Sequence, residues 1–122
     1  IAEQVLLPVM VNLDAFYVSH ALEPVSVPGQ ALVDAYLPPF NPTQRLDTTQ
    51  PSSWGNVVTP DMYNRHRQDL EMAMGRVPTL AAEADRDWAE RTGRSWGVIE
   101  RYRCDGSATV IVSMGSLCGT AP

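Results

Sequence analysis

A short stretch of polar and aromatic residues offers the clearest chemistry in this sequence of 122 residues. Asp14, Phe16, Ser19 and His20 follow directly after an apolar run. A carboxylate and an imidazole at the end of a buried strand can orient protons near neutral pH. The same side chains often hydrogen-bond the backbone of their own turn. Contact with a ligand and stabilisation of the loop are therefore both open interpretations of these residues.

Other candidate sites have less support. His20 and Glu23 have a spacing that occurs in metal sites, but two ligands without a third do not predict a metal. The glycine-containing stretch 114–120 could offer backbone donors to a phosphate, yet it has neither GxGxxG nor the lysine of a P-loop. Cys104 and Cys118 are isolated and are predicted to be reduced thiols. We therefore predict no metal site and no catalytic residue within this chain.

Two apolar runs would position the polar groups. Residues 5–13 are apolar apart from Pro8 and Asn12, and residues 108–114 form a second run. Such runs are typical of strands that are covered on both faces, as in parallel sheets. In open α/β sheets, ligands bind beyond the carboxyl ends of the strands. The sequence thus predicts an α/β fold with a buried strand near each end.

Helices are predicted between the two runs. Residues 31–37 suit one or two helical turns, whereas residues 40–59 are too rich in proline, serine and glycine for regular structure. Residues 59–61, Thr-Pro-Asp, form a good helix start. The apolar stripe that follows has helical spacing and ends at Gly93. Pro78 is expected to kink this helix or to make it restart near Val77.

Composition excludes several classes of partner. The net charge is −5 and the nine basic residues, all arginine, form no stripe, so nucleic acid is not an expected partner. No apolar run approaches the ~20 residues of a membrane helix, and no signal segment opens the chain. We therefore expect no membrane contact and a cytoplasmic location. Since both ends lie close to predicted strands, we expect a segment of a larger polypeptide that self-associates through unpaired strand edges.

Residues 6–24 read LLPVMVNLDAFYVSHALEP and resemble the pyruvate:ferredoxin oxidoreductases and related 2-oxoacid:ferredoxin oxidoreductases, in their alpha subunit. Three further segments occur in the family's order: LPPFNP at 37–42, PDMYNRHRQ at 60–68, and GRSWGVIERYR leading into VIVSMGSLCGT over 93–120. The resemblance covers almost the whole chain. One departure is Ala15, where the family usually has glycine.

The resemblance implies a domain organisation. Residues 1–28 would be the end of a pyrimidine-binding domain, and residues 29–103 an interdomain linker with helices. Residues 104–122 would begin a second domain similar to the carboxy-terminal domain of transketolases. The implied fold is part of a parallel-sheet thiamine-diphosphate-enzyme domain, with a long kinked helix between the two strands.

The resemblance also implies a reaction for the intact enzyme. A 2-oxoacid, expected to be pyruvate, would be decarboxylated oxidatively to an acyl-coenzyme A and CO2, with reduction of ferredoxin. Thiamine diphosphate, Mg²⁺ and [4Fe–4S] clusters are the implied cofactors, none of them expected in this segment by itself. Asp14, Phe16, Ser19 and His20 would border the thiamine pocket. The partners would be other subunits or domains of the oxidoreductase, ferredoxin, the 2-oxoacid and coenzyme A, and the isolated segment is predicted to be inactive.

Two alternatives remain from the sequence. The chain could be a structural module that packs against another subunit without touching substrate. In that case alanine at Asp14 or His20 would leave turnover unchanged. It could also be an independent small α/β domain that binds a small ligand. That interpretation predicts a monomer with a cooperative unfolding transition.

Overall fold

A computed structural model of the chain describes residues 1–42 and 44–120. The described residues form three α-helices and one 3₁₀ helix, joined by extended or irregular segments. The α-helices are α1 (Ala2–Val5), α2 (Gln30–Tyr36) and α3 (Pro60–Thr92), and the 3₁₀ helix spans Gly115–Gly119.

The predicted α/β fold is wrong, because residues 1–42 and 44–120 contain no β-strand. The first apolar run, 5–13, begins inside α1 and turns at Leu6, which has a φ of 57°. The rest of that run and the second run, 108–114, carry no ladder of hydrogen bonds. An apolar pattern expresses a preference for burial, but a strand also needs a neighbour that pairs with its N–H and C=O groups. Within the described part of this chain the two runs do not supply each other with that neighbour.

The long helix α3 begins and ends where the sequence predicts. Thr59 takes the N-cap position with extended backbone, and Pro60 starts the helix. Proline suits this position because the first N–H groups of a helix have no partner in the helix. At the other end Gly93 adopts the left-handed region, with φ 72°, and its N–H donates to the Ala89 carbonyl at 2.8 Å. The predicted boundaries are confirmed.

Pro78 lies inside α3 without dividing it. Proline has no N–H, so the carbonyl of Met74, one turn earlier, loses its usual helical donor. The helix nevertheless runs from Pro60 to Thr92 as one element, so the predicted restart near Val77 is wrong. A kink at Pro78 stays a prediction.

The surface of α3 is polar over most of its length, which is about 50 Å for 33 residues. Arg91 and Asp87 form an ion pair one turn apart, with 2.8 Å between Nε and Oδ1. Among the helices of the described residues, none combines the length with the apolar composition that crossing a membrane requires.

Helix α2 packs against the second half of α3. The Tyr36 hydroxyl donates to the Ala84 carbonyl at 3.2 Å, and the Tyr36 ring meets Trp88 edge to face, with 5.1 Å between the ring centres. The predicted helical turns at 31–37 are thus confirmed as α2, and its last residue anchors it. Aromatic pairs in this geometry contribute beyond the area that they bury.

The chain folds back after α3. The Ser95 hydroxyl donates to Oδ2 of Asp85 at 2.6 Å, and the Trp96 N–H donates to Oδ1 at 2.7 Å. These hydrogen bonds, with the serine hydroxyl contributing most, lower the pKa of the Asp85 carboxyl. Asp85 therefore fixes the direction in which the chain leaves the Gly93 turn.

Little apolar surface is buried within the chain. Helix α1 packs against α3, and Val5 and Ala73 are the buried apolar residues of the described part. The accessible surface is 11589 Å², whereas a compact monomer of this mass exposes about 6,500 Å². Apart from Val5 and the half-buried Leu7, both apolar runs are exposed, as the values of 81% for Val11 and 93% for Val112 show. These runs offer large apolar surfaces for contact with other protein.

Candidate functional site

The candidate site residues lie in one tight turn, residues 14–20, which we call the 14–20 loop. The N–H of Phe16 donates to Oγ of Ser19 at 3.1 Å, and the N–H of His20 donates to the Phe16 carbonyl at 3.3 Å. The rings of Phe16 and His20 stack with 5.0 Å between their centres. Phe16, Ser19 and His20 therefore form one cluster, as their proximity in sequence predicts.

The backbone of the loop contains an unusual conformation at Phe16, which has a φ of 64°. A bulky side chain is uncommon in the left-handed region, because its Cβ approaches the backbone. The family pattern has glycine one position earlier, at Ala15, but here the positive φ falls on Phe16. Residues held in such conformations cluster at ligand sites and switch regions.

Ser19 orients the imidazole of His20. Its Oγ lies 2.7 Å from Nδ1 of His20 while it accepts the N–H of Phe16. When the hydroxyl hydrogen is donated to Nδ1, the neutral ring carries its proton on Nε2. The loop then presents an N–H donor beside an aromatic face.

Asp14 makes a contact of a different kind. The N–H of Ser116 donates to Oδ2 of Asp14 at 2.6 Å, across a separation of 102 residues. Hydrogen bonds from the Ser116 side chain and then from its backbone lower the pKa of the Asp14 carboxyl. Asp14 thus accepts a hydrogen bond from the backbone of a distant segment, whereas the sequence suggested the backbone of its own turn. Contact of Asp14 with a ligand stays a prediction.

The sequence did not point to Ser116 as a member of the site. The stretch 114–120 follows the second apolar run, and Asp14 follows the first run. Two runs whose carboxyl ends lie side by side would place Asp14 close to this turn. The positions of Asp14 and Ser116 after the two apolar runs were therefore the sequence signal that could have indicated their contact.

The site is open to solvent. Phe16 is 73% exposed and Ser19 and His20 are also exposed. Within the ranges 1–42 and 44–120, no group of three or more His, Cys, Asp and Glu side chains could hold a metal ion. The arrangement can therefore stack on a flat ring and donate or accept hydrogen bonds, using groups that the loop itself holds in place.

The cysteines lie apart from the 14–20 loop. Cys104 and Cys118 are free thiols that line a concavity of about 720 Å³ with Arg101 and Arg103. Oγ of Ser113 lies 3.4 Å from Sγ of Cys118. No residue of the 14–20 loop lines this concavity.

A model of a known protein family matches the first part of the chain. Residues 1–86 match the family described as "Pyruvate flavodoxin/ferredoxin oxidoreductase, thiamine diP-bdg". The matched range contains the whole 14–20 loop and most of α3, and it ends before Ser116.

Curated relatives cover nearly the whole of this chain. Pyruvate synthase subunit PorA of Methanothermobacter thermautotrophicus is 43% identical over 116 residues, which are 95% of this chain and 30% of the relative. PorA of Thermotoga maritima is 36% identical over 97% of this chain and 30% of the relative. Ketoisovalerate oxidoreductase subunit VorA of Pyrococcus abyssi is 37% identical over 98% of this chain and 31% of the relative. The chain thus spans about 30% of the length of the curated relatives that it matches.

Proposed function

Since this chain belongs to the family of pyruvate flavodoxin/ferredoxin oxidoreductases, in the region described as binding thiamine diphosphate, we propose that it works as part of the alpha subunit of a 2-oxoacid:ferredoxin oxidoreductase. The resemblance seen in residues 6–24 is confirmed by the family match and by relatives at 34–43% identity. The observation that carries the proposal is similarity that extends over 95% of the chain.

Pyruvate is the proposed substrate. Two relatives named as pyruvate synthase subunits support it, at 43% and 36% identity. The ketoisovalerate oxidoreductase relative, at 37%, supports a branched-chain 2-oxoacid as the alternative substrate of the same reaction type. Coenzyme A, ferredoxin, Mg²⁺ and [4Fe–4S] clusters enter the proposal through the family resemblance.

We propose that Phe16, Ser19 and His20 border the thiamine pocket. The stacked rings of Phe16 and His20 offer an aromatic face, and Ser19 and His20 offer hydrogen-bonding groups, a combination that fits the flat heterocyclic rings of this cofactor. When bound, thiamine diphosphate supplies the carbanion chemistry of 2-oxoacid decarboxylation. The chain's own residues would orient a ring and exclude water from one of its faces. We assign no described residue to the diphosphate or to Mg²⁺.

The test is a pair of alanine substitutions in the assembled oxidoreductase that contains this chain. We expect His20→Ala and Phe16→Ala each to raise the Kd of thiamine diphosphate by about tenfold, equivalent to ~1.4 kcal/mol, because each removes a hydrogen-bonding or stacking group. Calorimetric titration measures the Kd, and pyruvate-dependent reduction of ferredoxin measures turnover.

His66→Ala is the matched control, since His66 is the other histidine and is exposed on α3. It should leave the cofactor Kd unchanged. An unchanged Kd in both Phe16→Ala and His20→Ala would remove the 14–20 loop from the pocket.

The exposed apolar surface favours a second candidate function, that of an interaction segment between subunits. Apolar side chains on α3 and on both apolar runs are largely exposed, among them Met10, Met72 and Ile111. Under this alternative, alanine at Asp14 or His20 leaves turnover unchanged, while substitutions on the exposed apolar side chains impair assembly. The domain boundaries after residues 28 and 103 and the cytoplasmic location stay predictions.

A further inference from the structure

We propose that Asp14 is a positioning residue that ties the 14–20 loop to the turn at Gly115, so that the two loops move as one unit. The consequence for cofactor binding depends on the function proposed above, which places Phe16, Ser19 and His20 beside the thiamine pocket. The contact between the two loops is argued from distances in the structure and does not depend on that proposed function.

The first support is the hydrogen bond itself. The distance of 2.6 Å between the Ser116 nitrogen and Oδ2 of Asp14 is short for a backbone donor. Short distances are typical of hydrogen bonds to an ionised acceptor, which are stronger than neutral ones. Ser116 lies in the first turn of the 3₁₀ helix, where backbone N–H groups have no partner within a helix. Each group therefore supplies what the other lacks.

The second support is steric and comes from Gly115, the neighbour of Ser116. Gly115 has a φ of 71°, and a Cβ placed on it would lie 2.8 Å from Oδ2 of Asp14. Real Cβ atoms essentially never approach another atom so closely. The carboxylate thus occupies the space that the missing side chain leaves, and only glycine at this position allows both the turn and the contact.

The third support is how the loop is held. Its other hydrogen bonds in the described structure are local, joining residues of the loop to one another, as between Phe16 and Ser19. The contact with Ser116 is the long-range one, and it lies at the residue that opens the loop. Removing it would free the cluster of Phe16, Ser19 and His20 relative to the rest of the chain while leaving the internal geometry of the cluster intact.

The experiment uses the assembled oxidoreductase with Asp14→Ala, Gly115→Ala and the double variant. Asp47→Ala is the matched control, because the Asp47 carboxylate also accepts a backbone N–H and a hydroxyl, but from Thr49, two residues away. Hydrogen exchange at the Ser116 amide reports the contact. The Kd of thiamine diphosphate, measured well below Tm, reports its effect on the pocket.

We expect Asp14→Ala to speed exchange at Ser116 by about tenfold or more and to raise the cofactor Kd severalfold, with Asp14→Asn intermediate in both. Gly115→Ala should raise the Kd similarly, and the double variant should be no worse than the more severe single variant, because both remove one contact. Asp47→Ala should change neither quantity. A Tm that falls without any change in Kd would overturn the positioning role.

The outcomes distinguish a failure of this inference from a failure of the proposed function. Unchanged exchange at Ser116 in Asp14→Ala, or effects of Asp14→Ala and Gly115→Ala that multiply, would overturn the inference. If His20→Ala leaves the cofactor Kd unchanged while Asp14→Ala still speeds exchange at Ser116, the proposed pocket fails and the tie between the loops is supported. Should Asp14→Ala fail to accumulate as folded protein, Asp14→Asn carries the same comparison.

Discussion

Aspartate carboxyls with a serine or threonine close by recur in this molecule. Asp14, Asp47, Asp61 and Asp85 each have a lowered pKa, and in each the largest contribution is a bond from Ser116, Thr49, Thr59 or Ser95 respectively. Hydrogen bonding favours the charged form of a carboxyl group and so lowers its pKa. In three of these pairs the two residues lie within ten positions of each other in the sequence, whereas Asp14 and Ser116 are separated by 102.

The pKa of Asp14 should therefore be lower than the ordinary value of an aspartate carboxyl, and Ser116→Ala should raise it part of the way back, because the backbone donor remains. The lowered pKa means that the contribution to stability is fully present above the unfolded-state pKa, about 3.9, and is lost as pH falls through the folded-state value. Carboxyl ¹³C shifts followed through an acid titration measure both values. If Asp14 has the same pKa in the parent and in Ser116→Ala, the Ser116 hydroxyl does not contribute to lowering it.

Tyr36 offers a test of how α2 is held. Tyr36→Phe removes the hydroxyl that donates to the Ala84 carbonyl but keeps the ring against Trp88. We expect α2 to lose about 1 kcal/mol of local stability, the net value of one hydrogen bond. Hydrogen exchange of the α2 amides measures it, and Tyr17→Phe, on an exposed ring in the 14–20 loop, is the control. Equal exchange in Tyr36→Phe and the parent would show that the hydroxyl contributes nothing.

Among the elements, α3 was the most predictable because the signals that bound it are local. Pro60 and Gly93 act on their own turns of backbone and need no distant partner. The predicted strands had no such local signals, since a ladder depends on residues far away in sequence. Residues 5–13 have the composition of a buried strand, yet they begin inside α1 and end exposed. The same division applies to the site: the Phe16–His20 cluster followed from sequence order, whereas Ser116 did not.

Gly75 inside α3 and Gly93 at its C-cap should respond to alanine in opposite directions. Gly93→Ala places a Cβ at a φ of 72°, which costs about 1–2 kcal/mol. Gly75→Ala lies in the middle of α3, with open space where its Cβ would be, and should stabilise the helix by roughly 0.5–1 kcal/mol.

Thermal melts followed by circular dichroism compare the two variants, each serving as the control for the other. Destabilisation by both would indicate that Gly75 has a packing role against a partner. Stabilisation by both would contradict the left-handed turn at Gly93.

At the scale of the whole molecule, the excess of exposed apolar surface predicts association. The 122-residue chain, produced alone, should run as a dimer or larger species. It should also show no pyruvate-dependent reduction of ferredoxin, since it spans only about 30% of the length of the curated relatives that it matches. Size-exclusion chromatography with light scattering measures the first property and a ferredoxin reduction assay the second. A monomer with a sharp melt would favour an independent binding domain. Measurable activity would contradict the prediction that the isolated segment is inactive.

The contact between Asp14 and Ser116 also has a consequence for the order in which the chain is made. A ribosome adds about 5–20 residues per second, so the carboxylate is synthesised roughly 5–20 s before the amide that it binds, 102 residues later. The loop can close its local hydrogen bonds during this interval, but its long-range bond has to wait. A pause in translation between the two segments would lengthen the time for which the loop of Phe16 and His20 lacks its hydrogen bond to Ser116. The yield of folded protein should then depend on the length of that pause.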